Sequence, residues 1–356
     1  MRILFIRPSS IYVTPAFSRV IEAKGLLENP EVEIHVLHWV DSDAEFKTDG
    51  IKYHNFRSSK GKLGFLKWNW IILKTLLMVR PGFVHNFSFQ NWFPIVLYKL
   101  FYPKRIKLFY DCRDYFAWSA SWSPVLKRTM HFFDRRIARL CSQIIFPDPN
   151  GYTYFRTKAD KFSVIPNTVT DAFENRELSR KPSGDPIKIL YAGYLSNDRN
   201  IQAIIDAVKK FQHLELNIAT NFISNQFDQS LLDDPRFIYH GKLSHQRVID
   251  LMLACDYSLI MYNATLENYQ QIQPTKFYDS LMSNTPFICA EGMTSLQKYC
   301  GSDWPNICLP YNDVDAFSEL KKPLINNKNR KLYTDTYEYS KVLTELAEVY
   351  DVYLGQ

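Results

Sequence analysis

Gln273-Pro-Thr-Lys-Phe-Tyr-Asp-Ser-Leu-Met-Ser-Asn-Thr-Pro-Phe-Ile-Cys289 reads as a loop opening a short helix, a stop at Asn284-Thr285-Pro286, and a buried strand from Phe287. Pro274 suits the start of a helix, where its missing N–H costs nothing. Thr275 and Lys276 then place a hydroxyl, free backbone N–H groups and a cation at the helix N-terminus, an end that attracts anions. Three residues beyond Lys276, Asp279 offers an acceptor on nearly the same face, suited to a sugar or ribose hydroxyl. A cation for phosphate beside a carboxylate for hydroxyls is what a nucleotide-sugar pocket requires. Taken alone, the segment also reads as a surface helix with ordinary charges.

Working outward, strand and helix periodicities alternate along the whole chain. Strands are expected at Arg2–Arg7, Glu33–His38, Lys52–Phe56, Phe83–Phe87, Ile106–Tyr110, Gln143–Pro147 and Phe162–Ile165, with helices at 15–28, 63–79, 91–101, 124–141 and 149–158. A second run places strands near 188–192, 214–219, 236–239, 256–260, 286–290 and 307–309, and an amphipathic helix over Ser340–Tyr353. Such alternation argues mostly parallel sheets covered by helices on both faces. At 356 residues the chain exceeds one comfortable core, so two domains are expected. Glu174–Pro186 is polar, contains Pro and Gly, and is the best linker. The expected division is 1–173, a linker at 174–187, a second domain at 188–335, and a last segment at 336–356.

Three further segments lend weight to the pocket reading. Phe162-Ser-Val-Ile-Pro-Asn-Thr-Val169 is a strand ending in Pro-Asn. Lys188 to Val208 is an apolar strand, a turn at Gly193, and an amphipathic helix. Phe237 to Ile260 is strand, glycine, helix, strand. In that order, ahead of the Pro-x-Lys-x-x-x-Asp helix, they resemble the C-terminal half of the GT-B glycosyltransferases of the large retaining family 4. The resemblance covers most of the chain. It implies an α/β GT-B architecture: two Rossmann-like domains with a cleft between them and a C-terminal helix crossing back to the first domain.

The resemblance also assigns roles to residues. Gly193 lets the backbone approach a diphosphate closely. The family has Arg next and Lys five residues later; here Tyr194 stands at the first position and Arg199 at the second, a competent phosphate partner. Lys276 is expected to make up for the missing cation, with Gln273 and Thr275 beside it on the donor. Asp279 stands where the family usually has Glu, and the acidic residue normally eight positions earlier is absent. In the first half, Lys107 to Ala117 resembles the family strand ending at the cleft. Asp114, then Asp111, are candidates to accept a proton or hold the acceptor hydroxyl, and each also suits a helix N-cap. His85 sits at the family's Val-His strand end and is either a cleft residue or a structural one. The N-terminal loop lacks the diglycine of many relatives, leaving Ser9, Ser10 or the backbone to serve. No divalent metal or other cofactor is expected, since Lys276, Arg199 and the helix N-terminus would neutralise the leaving diphosphate. Asp41-Ser-Asp43 reads as a solvated turn.

Charge is unevenly distributed. Residues 1–170 carry 25 Lys and Arg against 13 Asp and Glu, a surplus of 12; the remainder carries 18 against 24, a deficit of 6. Lys60, Lys67 and Lys74 recur every seven residues beside Trp68 and Trp70, one stripe of a helix rich in leucine and isoleucine. Such a segment can lie on an anionic bilayer, or pack as a helix with a solvated lysine edge. No RNA- or DNA-binding motif accompanies it, so no nucleic-acid partner is expected. The six cysteines show no paired metal spacing and read as buried free thiols. Met1–Arg7 has too short an apolar run for a signal peptide, and no run approaches a spanning helix. The expected protein is a cytoplasmic enzyme, peripheral at the inner face of the cell membrane. It would transfer a sugar from a nucleotide donor to a glycan in bacterial polysaccharide, capsule or O-antigen assembly, with the acceptor carried on a lipid. A sugar-nucleotide epimerase or hydrolase, or a catalytically silent partner subunit, are the alternatives.

Overall fold

The structure, a computed structural model, describes residues 1–8, 31–40, 49–59, 61–102, 106–118, 122–156, 159–173, 184–193, 195, 199–220, 229–324 and 326–354. The expected helix at 15–28, the Asp41-Ser-Asp43 turn, Ser9, Ser10, Lys60, Tyr194 and most of the linker lie outside these residues. The chain forms two units, Met1–Asn167 with Ser340–Gln356, and Thr168–Tyr339.

The first unit runs β1 (Arg2–Arg7), β2 (Glu33–Trp39), β3 (Ile51–Phe56), α1 (Lys62–Val79), β4 (Phe83–Asn86), α2 (Trp92–Phe101), β5 (Lys107–Asp111), α3 (Pro124–Leu140), β6 (Gln143–Phe146), α4 (Asn150–Phe155) and β7 (Phe162–Val164). Its strands pair in parallel in the order β3-β2-β1-β4-β5-β6-β7. A parallel sheet is buried on both faces, which is why its strands are continuous apolar runs. Residues Ile3, Leu4, Phe5 and Ile6 are all buried, and alternate ones serve opposite layers. Leu4 and Ile6 pack in one layer with Trp68, Ile72 and Leu76 of α1 and Ile95 of α2. Ile3 and Phe5 pack in the other with Val342, Leu346 and Tyr350 near the C-terminus. α3 starts where sequence rules place it, with Pro124 in its first turn and Ser123 Oγ accepting from the Leu126 N–H at 3.4 Å.

The second unit runs β8 (Ile187–Ala192), α5 (Ile201–Lys210), β9 (Leu214–Ala219), β10 (Phe237–Gly241), α6 (His245–Ala254), β11 (Tyr257–Ile260), α7 (Glu267–Gln271), α8 (Thr275–Met282), β12 (Phe287–Ala290), α9 (Thr294–Gln297), β13 (Ile307–Leu309) and α10 (Lys328–Leu332). Its sheet is parallel in the order β10-β9-β8-β11-β12-β13. Asn284 takes the left-handed conformation just past α8, the stop read from Asn284-Thr285-Pro286. The last helix, α11 (Tyr339–Leu354), belongs to the first unit from Ser340 onward.

Residues 168–173, expected with the first domain, belong to the second unit because side chains near residues 330–337 hold their backbone. Tyr333 donates its hydroxyl to the Val169 carbonyl at 2.7 Å, and Thr168 donates to the Tyr337 carbonyl at 2.5 Å. Arg330 grips both Asp171 carboxylate oxygens, at 2.7 and 3.1 Å. Residues 336–339, expected with the tail, stay in the same unit.

In α11, Tyr350 packs against the first sheet beside Val342 and Leu346. Its ring stacks on Phe109 at 5.4 Å, and its hydroxyl bonds His85 Nδ1. Tyr350→Ala should lower the urea-unfolding free energy by about 3–5 kcal/mol, as for other buried aromatic truncations. The exposed Val352→Ala on the same helix should stay within about 0.5 kcal/mol of wild type.

Candidate functional site

The second sheet reverses its strand order between β8 and β11, and open parallel sheets bind ligands outside the carboxyl ends of their strands at such a switch point. Three elements bring side chains together there. β8 ends in Tyr191-Ala192-Gly193, β11 leads into Met261-Tyr262, and α8 opens with Thr275-Lys276. The Lys276 ammonium lies 4.3 Å from the Tyr191 ring centre. Gly193 has φ of 127°, and a Cβ there would come within 3.1 Å of Lys276 Cε and 3.3 Å of Nζ. Glycine at 193 thus serves both the backbone turn and the space for the lysine.

The arrangement is strongly cationic. The Arg199 guanidinium lies 4.0 Å over the Tyr262 ring, with Tyr269 at 5.8 Å. Burial, with the Arg199 charge added, pushes the Lys276 amine down to about 7; Asp279 opposes the shift. Its Nζ is enclosed and has no hydrogen-bond partner among the described residues. Next to Arg199, Asn200 is buried in the left-handed conformation, its N–H donating to the Tyr311 hydroxyl at 3.2 Å. The Asn200 Oδ1 also lacks a partner among the described residues. An unpaired buried ammonium is costly unless something supplies the missing negative charge. Thr275 is the first residue of α8, with Pro274 extended at the cap.

Asp279 sits one turn along α8, buried, and its Oδ1 is taken by His245 Nε2 at 2.7 Å. That hydrogen bond raises the His245 imidazole above its ordinary value, against the opposing effect of burial. Asp279 therefore reaches any ligand as one member of an Asp–His pair, not as the lone acceptor read from the sequence. The missed residue, His245, opens α6 behind Ser244, whose Oγ accepts from the Arg247 N–H at 3.4 Å. Its signal was the Gly241-Lys-Leu-Ser-His245 turn, but nothing in the spacing links it to Asp279, 34 residues away. Gln273 departs further from expectation. Its Oε1 accepts from the buried Tyr278 hydroxyl at 3.0 Å, near Tyr299 and Tyr337, whose hydroxyls bond each other at 2.9 Å. Gln273 is thereby committed to a tyrosine cluster of the core.

In the first sheet the order reverses between β1 and β4. His85 of β4 and Asp111 of β5 are both buried and bond each other, Nε2 to Oδ2, at 3.1 Å. Arg113 Nη2 donates to the same carboxylate at 2.6 Å. Burial pushes Asp111 up, but Arg113 and the His85 hydrogen bond outweigh it and hold the carboxyl at about 2. Burial lowers His85, with Asp111 opposing. With Tyr350 on the other imidazole nitrogen, both expected cleft residues are spent inside a closed network. Asp114 is the exposed carboxylate beyond the strand. Arg7, at the end of β1, is lowered to about 10 by burial and by Arg113.

No family model matches this chain, and no curated protein matches it. Solved structures do match. Sucrose-phosphate synthase from Thermosynechococcus elongatus is 13% identical, with 100% of this chain and 99% of that one covered and a TM-score of 0.73. HepE from Anabaena, solved with UDP and glucose, is 15% identical over 99% of each chain, with a TM-score of 0.69. The chain has the GT-B fold. UDP-GlcNAc 2-epimerase from Methanocaldococcus jannaschii matches at a TM-score of 0.57, 13% identical over 95% of this chain and 100% of that one. The GT-B fold thus spans transferases and an epimerase, and the choice between them rests on the site.

The Asp279–His245 pair carries its own test. A raised histidine helps folding fully below its unfolded value of 6.5, and the help fades as pH climbs through the raised midpoint. Imidazole NMR titration should place the His245 midpoint above 6.5, and Asp279→Asn should bring it back to that value or lower. An unmoved midpoint would remove the pair from the site.

Proposed function

We propose that this protein is a glycosyltransferase whose second unit holds the diphosphate of a nucleotide-sugar donor. The observation that carries the reading is the enclosed Lys276 ammonium, without a hydrogen-bond partner among the described residues, at the β8–β11 switch point beside Gly193 and within reach of the Arg199 charge. A diphosphate supplies the negative charge that this lysine lacks. Bond cleavage at the sugar concentrates charge on the leaving phosphate, and fixed cations that meet it there lower the barrier. Arg199, held against two tyrosine faces, is preorganised for the same task. Thr275 and the first turn of α8 would add backbone N–H groups. The Asp279–His245 pair would hold ribose or sugar hydroxyls.

The finer reading follows the family resemblance: a retaining transfer that needs no divalent metal, onto a glycan carried by a lipid in bacterial polysaccharide, capsule or O-antigen assembly. Asp114, exposed at the end of β5, is the proposed contact for the acceptor hydroxyl. Asp111 and His85 would act behind it as positioning residues. No helix among the described residues is long and apolar enough to cross a membrane, and the proposed location is peripheral, on the cytoplasmic face. The likeness to an epimerase supports a second reading, in which the same pocket serves sugar-nucleotide epimerisation or hydrolysis. Sugar transferred from a nucleotide donor to an added acceptor favours the first reading; a donor epimerised or hydrolysed without transfer favours the second.

Both readings require the phosphate contact. A charge-assisted hydrogen bond contributes about 1.5–3 kcal/mol. Lys276→Ala should therefore weaken the best-binding nucleoside diphosphate, chosen by thermal-shift screening, about tenfold or more. Isothermal titration of the folded variant checks this, and unchanged affinity would remove Lys276 from the donor site.

A further inference from the structure

In the first unit, α1, α2 and α3 surround a cavity of about 550 Å³, within the range of small-molecule sites. Phe89 and Phe116 stack at 4.6 Å along its wall beside the buried Trp92. Its mouth is formed by Phe65, Phe93, Leu100 and Phe133, all exposed, Phe93 by 74% and Leu100 by 71%. Apart from Gln90 and the Trp92 indole N–H, every lining side chain is apolar. Such a patch on a protein surface marks a contact with another apolar body.

The charges around it select the body. Between Asp49 and Asp111 the chain has no acidic residue. α3 carries five Lys and Arg and one acid, Asp134, which is buried and bonded by the Tyr154 hydroxyl at 2.6 Å. Lys67, Lys74, Arg128, Arg136 and Arg139 are exposed on the same helices as the apolar mouth. Exposed aromatics among cations, with no exposed acid on these helices, match a lipid interface, where each basic residue is drawn to the anionic surface.

We propose that this cavity takes a hydrocarbon chain of an anionic membrane lipid, with the lysines and arginines of α1 and α3 meeting the lipid phosphates. The site lies wholly in the first unit and does not depend on the donor reading. It also extends lipid contact from the lysine stripe of α1 to the basic face of α3.

The test uses the full chain with phosphatidylcholine vesicles, with and without 30 mol% phosphatidylglycerol, and with monomeric dioctanoyl phosphatidylglycerol (about one-third anionic lipid lies in the range where basic segments bind). Wild type should sediment with anionic vesicles at least about tenfold more strongly than with neutral ones, and lose this as salt shortens the Debye length. It should also bind the short-chain lipid saturably. Leu97→Trp, which fills the cavity without changing charge, and Phe93→Ser, at the exposed mouth, should each weaken both kinds of binding about fivefold or more. Thermal unfolding checks that the variants fold; Phe93→Ser decides the matter where Leu97→Trp does not. The proposal is overturned by wild type that ignores anionic vesicles, by variants that bind as wild type does, or by self-association through this face that Phe93→Ser abolishes while lipid has no effect.

Discussion

A lysine ammonium held out of water at the end of a parallel strand organises the second unit. Lys276 is placed there by α8, whose position is set by burial of Phe277, Tyr278 and Leu281 on its other side. Gly193 leaves the room, Tyr191 supplies a ring face, and Arg199 raises the cost of holding the charge. A buried ammonium with a second cation nearby is costly to hold, and an anionic ligand would offset that cost. Stability is thus given up locally at the place where an anion would bind, as functional sites commonly do.

The scaffold makes that placement possible. Parallel pairing puts helices on both faces, so ligands of the sheet itself bind at the loops beyond the carboxyl ends of its strands. At β8–β11 those loops carry cations and tyrosines. In the first unit the carboxyl ends of β1 and β5 carry Arg7, Arg113 and Asp114, backed by the His85–Asp111 network and Tyr350 of α11. The last helix is therefore both a layer of the first core and the anchor of a charged cluster at its edge.

Much of this was legible in the sequence. The strands stood out because both-face burial writes itself as runs such as Ile3 to Ile6 and Phe287 to Ala290, and α8 stood out through Pro274 before it and Asn284 after it. One motif order names Lys276, Gly193 and Arg199, and the structure brings them near one another. Partners distant in sequence were not legible. Nothing in the spacing shows Gln273 meeting Tyr278, Tyr299 and Tyr337, or His245 meeting Asp279. For His85 and Asp111 both a site and a structural reading stayed open, because a strand end reads the same whether or not a distant helix closes over it. The domain boundary was misplaced at 168–173 for the same reason, since Arg330 and Tyr333 hold that segment from far along the chain.

The most direct test is the proton count of nucleotide binding. At pH 8 a lysine lowered to about 7 is mostly neutral, and a bound diphosphate should restore its charge by drawing in a proton. Isothermal titration of the best-binding nucleoside diphosphate, repeated in buffers of different ionisation enthalpy, measures that count. The expected result is uptake approaching about one proton per ligand, absent in Lys276→Met. Tight binding with no proton uptake in the wild-type protein would contradict the placement of the diphosphate at Lys276.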